Sequence, residues 1–93
     1  MNAEELILQE VELTTFNFFV AKQKANDAIE RYDRDLAAGG EFDCSYFNDI
    51  YGVGHARRAK EDALFLAEMR GLGVVAAEKA GIQRYEMGLP TRR

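Results

Sequence analysis

The sequence predicts an all-α domain: a long N-terminal helix folded back antiparallel on a second, Gly-interrupted helix, with a short helix or turn between them. Three observations carry this expectation. Apolar residues recur at helical spacing through most of the first forty positions. Proline occurs once, at Pro90, and β-branched runs are scarce, which favours helix. Glycines cluster at 39–40, 52–54 and 71–73, where they punctuate the apolar pattern.

The first element spans residues 1–40, with helix from Ala3 to Ala38. Ile7, Val11, Thr14, Phe18, Ala25, Ile29, Tyr32 and Leu36 recur at steps of three, four or seven, with Lys22 in the one vacant slot. That is a heptad-like seam over five heptads, and a helix of this length would span roughly 54 Å. Gly39-Gly40 is the expected stop signal. The stretch "LTTFNFFV", residues 13–20, is rich in β-branched and aromatic residues and can be read as a strand. The seam passes through it in phase, which favours helix. A second apolar stripe, Leu6, Leu13, Phe16 and Val20, runs beside the seam and ends at Asp27, with Phe19 alongside. One partner helix covers one side only, so this stripe is expected to face another element, another subunit or a partner. Leu6, Leu13, Phe16, Phe19 and Val20 are therefore the candidate interface.

The second element, residues 41–54, reads as an aromatic corner and Gly loop. Asp43 is a plausible N-cap for a short helix over Cys44 to Tyr51, with Phe42, Tyr46, Phe47, Ile50 and Tyr51 on one face or nearly so. Gly52 and Gly54 each weaken a helix by about 1 kcal/mol relative to Ala and read as a hinge. The third element, residues 55–81, shows Ala56, Ala59, Ala63, Leu66, Ala67 and Met69 on a face of mostly small side chains. A bend is expected at 71–73. Residues 82–93 read as a basic tail with Ile82, Tyr85 and Leu89 as anchors.

Composition bounds the function. Ninety-three residues make one small domain, 47% hydrophobic and 30% charged, a globular balance. A single cysteine cannot form an internal disulfide. The first fifteen residues hold four glutamates and no Lys or Arg, unlike a signal or transit peptide. Every apolar run falls far short of the ~20 residues a membrane helix needs. The expectation is a cytoplasmic protein. Net charge is −4, split into −7 over residues 1–50 and +3 over residues 51–93. Such halves suit an antiparallel fold-back or two copies packed head to tail. The acidic balance disfavours general nucleic-acid binding.

"FDCSYFNDIYGVGHARR", residues 42–58, is the densest stretch, holding Cys44 and His55, the only residues of their kinds. A Cys-His nucleophile pair needs an orienting third group, and no signature supports one. There is no CxxC and no HxxxH, so no metal site or cofactor is expected. Gly52 and Gly54 ahead of a helix start, with His55, Arg57 and Arg58 in its first turn, could hold an anion or nucleotide. A structural corner, with the arginines paired to acids of the first helix, explains the same residues more simply. A third reading is accessory nucleic-acid binding through Arg57, Arg58, Arg70, Arg84, Arg92 and Arg93.

The reading that covers most of these features is a non-enzymatic protein-binding module, an inhibitor, adaptor or chaperone-like accessory protein, forming a homodimer or higher homo-oligomer. Size and composition also fit the small accessory proteins that phages and plasmids encode, an analogy and no more.

Overall fold

The computed structural model describes residues 2–40 and 45–88, and it is all-α. Its elements are α1 (Ala3–Ala37), α2 (Ser45–Met69) and α3 (Val75–Glu86). The stretch 13–20 is helix, inside α1. Phe42, Asp43, Cys44, Leu89, Arg92 and Arg93 lie outside the described residues.

Local chemistry sets the ends of α1. The Asn2 side chain caps it, accepting a hydrogen bond from the Glu5 amide at 2.8 Å. Glu4 and Glu5 place negative charge against the positive end of the helix dipole. At the other end Gly39 adopts φ +79°, the Gly39 amide donates to the Leu36 carbonyl, and the Gly40 amide donates to the Asp35 carbonyl at 2.7 Å. This is a Schellman closure on the Gly pair that the sequence marks as the stop.

α2 returns antiparallel. At one end of the pair Arg31 meets Asp49 at 3.4 Å, and at the other Ile7 and Val11 pack with Ala63 and Ala67. The face of small side chains is real but narrower than expected. Ala63 and Ala67 are buried, whereas Leu66 and Met69 turn to solvent.

Two boundaries differ from the sequence expectation. The short helix ending at Tyr51 and the Gly52–Gly54 hinge do not exist as such. α2 runs unbroken through both glycines, with nothing within 4 Å of the Cβ that either would carry. Two isolated glycines cost about 1 kcal/mol each, and packing of α2 along α1 outweighs that. The tail boundary at Gly81 is also misplaced, because α3 continues to Glu86 and includes Ile82 and Tyr85. The bend at 71–73 is a full break. Gly71 adopts φ +68°, and the Leu72 amide donates to the Ala67 carbonyl at 2.9 Å, closing α2.

α3 then runs in the same direction as α1 and lies against it. Gly81 meets Glu12, Thr15 and Phe16, and Tyr85 meets Phe19 at a centroid distance of 5.7 Å. α1 is thus the shared spine for α2 and α3. The core is small: Ile7, Val11, Ala63 and Ala67, with Leu64, Leu72, Val74 and Ala77 packed against it. Of the α1 seam, Ile7, Val11, Thr14 and Ala25 are buried and Phe18 is half-buried, whereas Ile29 and Leu36 are exposed. An α-helix drifts about 20° per heptad against a strict seven-residue repeat, which carries the later seam positions off the packed side.

Candidate protein-binding surface

The α1 stripe is covered in part within one chain. Phe16 is buried at 5% exposure, and Leu13, Phe19 and Val20 are half-buried. Phe19 lies between Phe18 and Tyr85, and the Tyr85 hydroxyl donates to the Gln23 Oε1 at 2.9 Å. Lys22, the polar residue in the seam, holds its ammonium 5.4 Å from the Phe18 ring centre and 5.5 Å from that of Phe19. Lys60 reaches the Phe18 ring from α2 at 5.2 Å. Cations over aromatic faces suit a site at the edge of the core, where the rings are covered and the charges stay wet. α3 thus covers Phe16 and Phe19 through Gly81 and Tyr85, whereas Val20 lines a depression with Asn48, Asp49 and Gly52 of α2. Of Leu6, Leu13, Phe16 and Val20, Leu6 alone stays exposed, at 55%.

The residues of the expected Gly loop are mid-helix. Gly52, Gly54, His55, Arg57 and Arg58 all lie inside α2, so their amide groups are spent on the helix ladder and offer no free N–H cradle. The anion loop is corrected on that ground. His55, Arg57 and Arg58 are exposed, and Arg57 and Arg58 make no ion pair among the described residues. The expected pairing of these arginines with acids of α1 is therefore also corrected. Arg58 points away from α1. Cys44, the other half of the Cys-His pair, lies outside the described residues. Arg84, a candidate nucleic-acid contact, is committed to Glu12 at 3.4 Å. Arg84 with Glu12 joins the basic half of the chain to the acidic half. Two more ion pairs are Arg31 with Asp49 and Lys60 with Glu78, the latter at 3.9 Å between α2 and α3.

The surface depressions are open and shallow. One of about 470 Å³ is lined by Lys24, Arg31 and Arg34 against Asp27, Glu30 and Asp49. Three charges of each sign cancel there, so it has no preference for an anion. Among the described residues no three His, Cys, Asp or Glu side chains gather as they would around a metal ion, and no helix is long and apolar enough to cross a membrane.

The surface that stands out is the outer face of α2. With Ala63 and Ala67 against α1, the 100° step of the helix places positions 47, 51, 65 and 69 on the opposite side. Tyr51 is 65% exposed, Phe65 64% and Met69 70%, while Phe47 is just into the exposed range. The rings of Phe47 and Tyr51 stack at 5.8 Å with planes 29° apart. Apolar side chains on both sides of α2 mean that it is not amphipathic in the ordinary sense: one side packs in the core and the other carries large apolar groups into water. The sequence expectation sets Phe47 and Tyr51 in an aromatic corner and assigns Phe65 no role. The signal that reveals them is the helical wheel of one continuous α2, which the expected Gly hinge concealed.

No family model, curated protein or solved structure matches this chain.

Proposed function

We propose that the chain is a non-enzymatic, cytoplasmic protein-binding module, an inhibitor, adaptor or chaperone-like accessory protein, that works through an apolar helical surface. The observation that carries this reading is the exposure of Tyr51, Phe65 and Met69 on the outer face of α2. Fully burying one such side chain contributes about 1.5–3 kcal/mol, so leaving several in water is a standing driving force for association. Aromatic residues and Met are the types that anchor protein interfaces. The rival reading, an anion or nucleotide at residues 52–58, loses its main support because no loop or helix start is present there.

The test is capture by immobilised chain from the native host, run beside Phe65→Glu with Met69→Glu. Both positions are exposed, so the fold should persist, which circular dichroism would check. The reading expects a stoichiometric protein captured by the wild type and lost with the double variant. Equal capture by both proteins would contradict it.

A further inference from the structure

We propose that α3 is a hinged cover: it lifts from α1 as a unit about Gly73 while α1 and α2 stay paired, and so uncovers Phe16 and Phe19. This goes beyond the protein-binding reading and stands whether or not the outer face of α2 takes a partner.

The attachment of α3 is one-sided. Among the described residues it lies against α1 and, apart from the Lys60–Glu78 pair, against no part of α2. An open depression of about 410 Å³ separates the end of α2 from the start of α3, with Leu64 and Glu68 on one side and Val74 and Glu78 on the other. The sole buried residue of α3 is Gly81, which has no side chain to anchor the helix. Ala77 is the one member of α3 packed against the core, since Leu72 and Val74 precede the helix. α2, by contrast, buries Ala63 and Ala67 in that core. An element with few buried apolar contacts opens locally before the rest of the fold does.

The ties along α3 are polar and partly exposed. Arg84 meets Glu12 at 3.4 Å, Lys60 meets Glu78 at 3.9 Å, and the Tyr85 hydroxyl donates to Gln23. Ion pairs in such positions contribute little and are screened by salt. The closed state also carries a cost at the crossing. The Thr15 hydroxyl, packed against Gly81, is buried without a hydrogen-bond partner, and lifting α3 returns it to water. α3 starts weakly, because the Val74 side chain makes no capping bond. The hinge lies just before it. The Leu72 amide is fixed to the Ala67 carbonyl, whereas Gly73 has nothing within 4 Å of the Cβ it would carry. No close contact demands glycine there, and its freedom suits a position that absorbs a backbone rotation. Burial of Phe16 and the Tyr85–Phe19 ring contact hold the cover shut, so the closed form is the ground state and the lifted form a minor one. The lifted chain presents Phe16 and Phe19 beside Leu13, a second apolar surface that the closed chain conceals.

Hydrogen exchange on the full chain tests this, together with thiol labelling of Thr15→Cys in a Cys44→Ser background. In the wild type the α3 amides from Lys79 to Glu86 should exchange about tenfold or more faster than the α2 amides around Ala63 and Ala67. Added salt, or Arg84→Gln, should speed α3 exchange about twofold to fivefold and leave those α2 amides unchanged. The thiol at position 15 should be labelled faster than global unfolding allows, and added salt should speed it by the same factor. Equal protection of α3 and α2 would mean that the three helices open as one unit, and overturns the proposal. Fast α3 exchange with position 15 labelled only at the rate of global unfolding also overturns it, because α3 would then fray in place without uncovering α1. Circular dichroism checks the fold of the labelled variant, and the exchange comparison on the wild type decides independently of it.

Discussion

Gly81 of α3 sits so close to Thr15 of α1 that a Cβ built on it would lie 2.9 Å from the Thr15 Cβ and 2.5 Å from the Glu12 carbonyl oxygen. Both neighbours belong to a packed helix, one of them to its backbone, so neither can give way cheaply. This crossing lets α3 lie against α1 at all. It also explains why a residue that weakens helices stands in the middle of one.

Gly81→Ala is therefore expected to destabilise the fold by about 1–3 kcal/mol, the range for overpacking, although alanine is the better helix former by about 1 kcal/mol. Urea denaturation monitored by circular dichroism measures it. A neutral or stabilising result would mean that α3 is not seated as described.

The glycines of α2 should behave in the opposite way. Nothing lies within 4 Å of a Cβ at Gly52 or Gly54, and both are helix-interior. Gly54→Ala should stabilise by about 0.5–1 kcal/mol through lost freedom of the unfolded chain and better helix propensity. Gly52→Ala should do the same. A loss of stability in either variant would restore the hinge reading.

How much of this was legible in the sequence depends on the residue. The Gly39-Gly40 stop, the α1 seam as far as Ala25 and the break near Gly71 follow from local signals: a paired glycine, a period and a C-cap. Locally the α2 glycines and Gly81 read as breaks, because propensity is local, whereas their helices are held by contacts distant in sequence. Ala63 and Ala67 hold α2 against Ile7 and Val11, and Tyr85 and Arg84 hold α3 against Phe19 and Glu12. Once 52–54 is taken for a corner, Tyr51 and Phe65 belong to different elements. The stripe they share is then invisible. Period alone places the candidate residues on α1, and it cannot anticipate that a third helix returns to cover Phe16 and Phe19.

Thr15 carries a second prediction about the crossing. Its hydroxyl is fully buried and finds no hydrogen-bond partner, whereas the neighbouring Thr14 hydroxyl donates to the Glu10 carbonyl at 2.7 Å. A buried polar group without a partner costs about 1–3 kcal/mol, so the isosteric Thr15→Val should raise stability by about 1 kcal/mol. A lower midpoint in thermal denaturation would show that the hydroxyl has a partner in solution.

Tyr85 tests the outer end of α3. Tyr85→Phe removes one exposed hydrogen bond to Gln23 and keeps the ring on Phe19, so it should cost less than about 1 kcal/mol. Tyr85→Ala removes the ring as well and should cost about 2 kcal/mol or more, since a part-exposed aromatic falls below the range for buried rings. Equal effects of the two variants in chemical denaturation would mean that the ring contact contributes nothing.

The central claim is that association runs through the outer face of α2 and not through the α1 stripe. Capture from the native host by immobilised chain tests this most directly, on the wild type, Phe65→Glu with Met69→Glu, and Leu6→Glu. All three positions are exposed, so each protein should keep its helix content. The account predicts a stoichiometric protein captured by the wild type, captured equally by Leu6→Glu, and lost with the α2 double variant. A wild type that captures nothing, or a capture that is lost with Leu6→Glu and survives the α2 double variant, would contradict it.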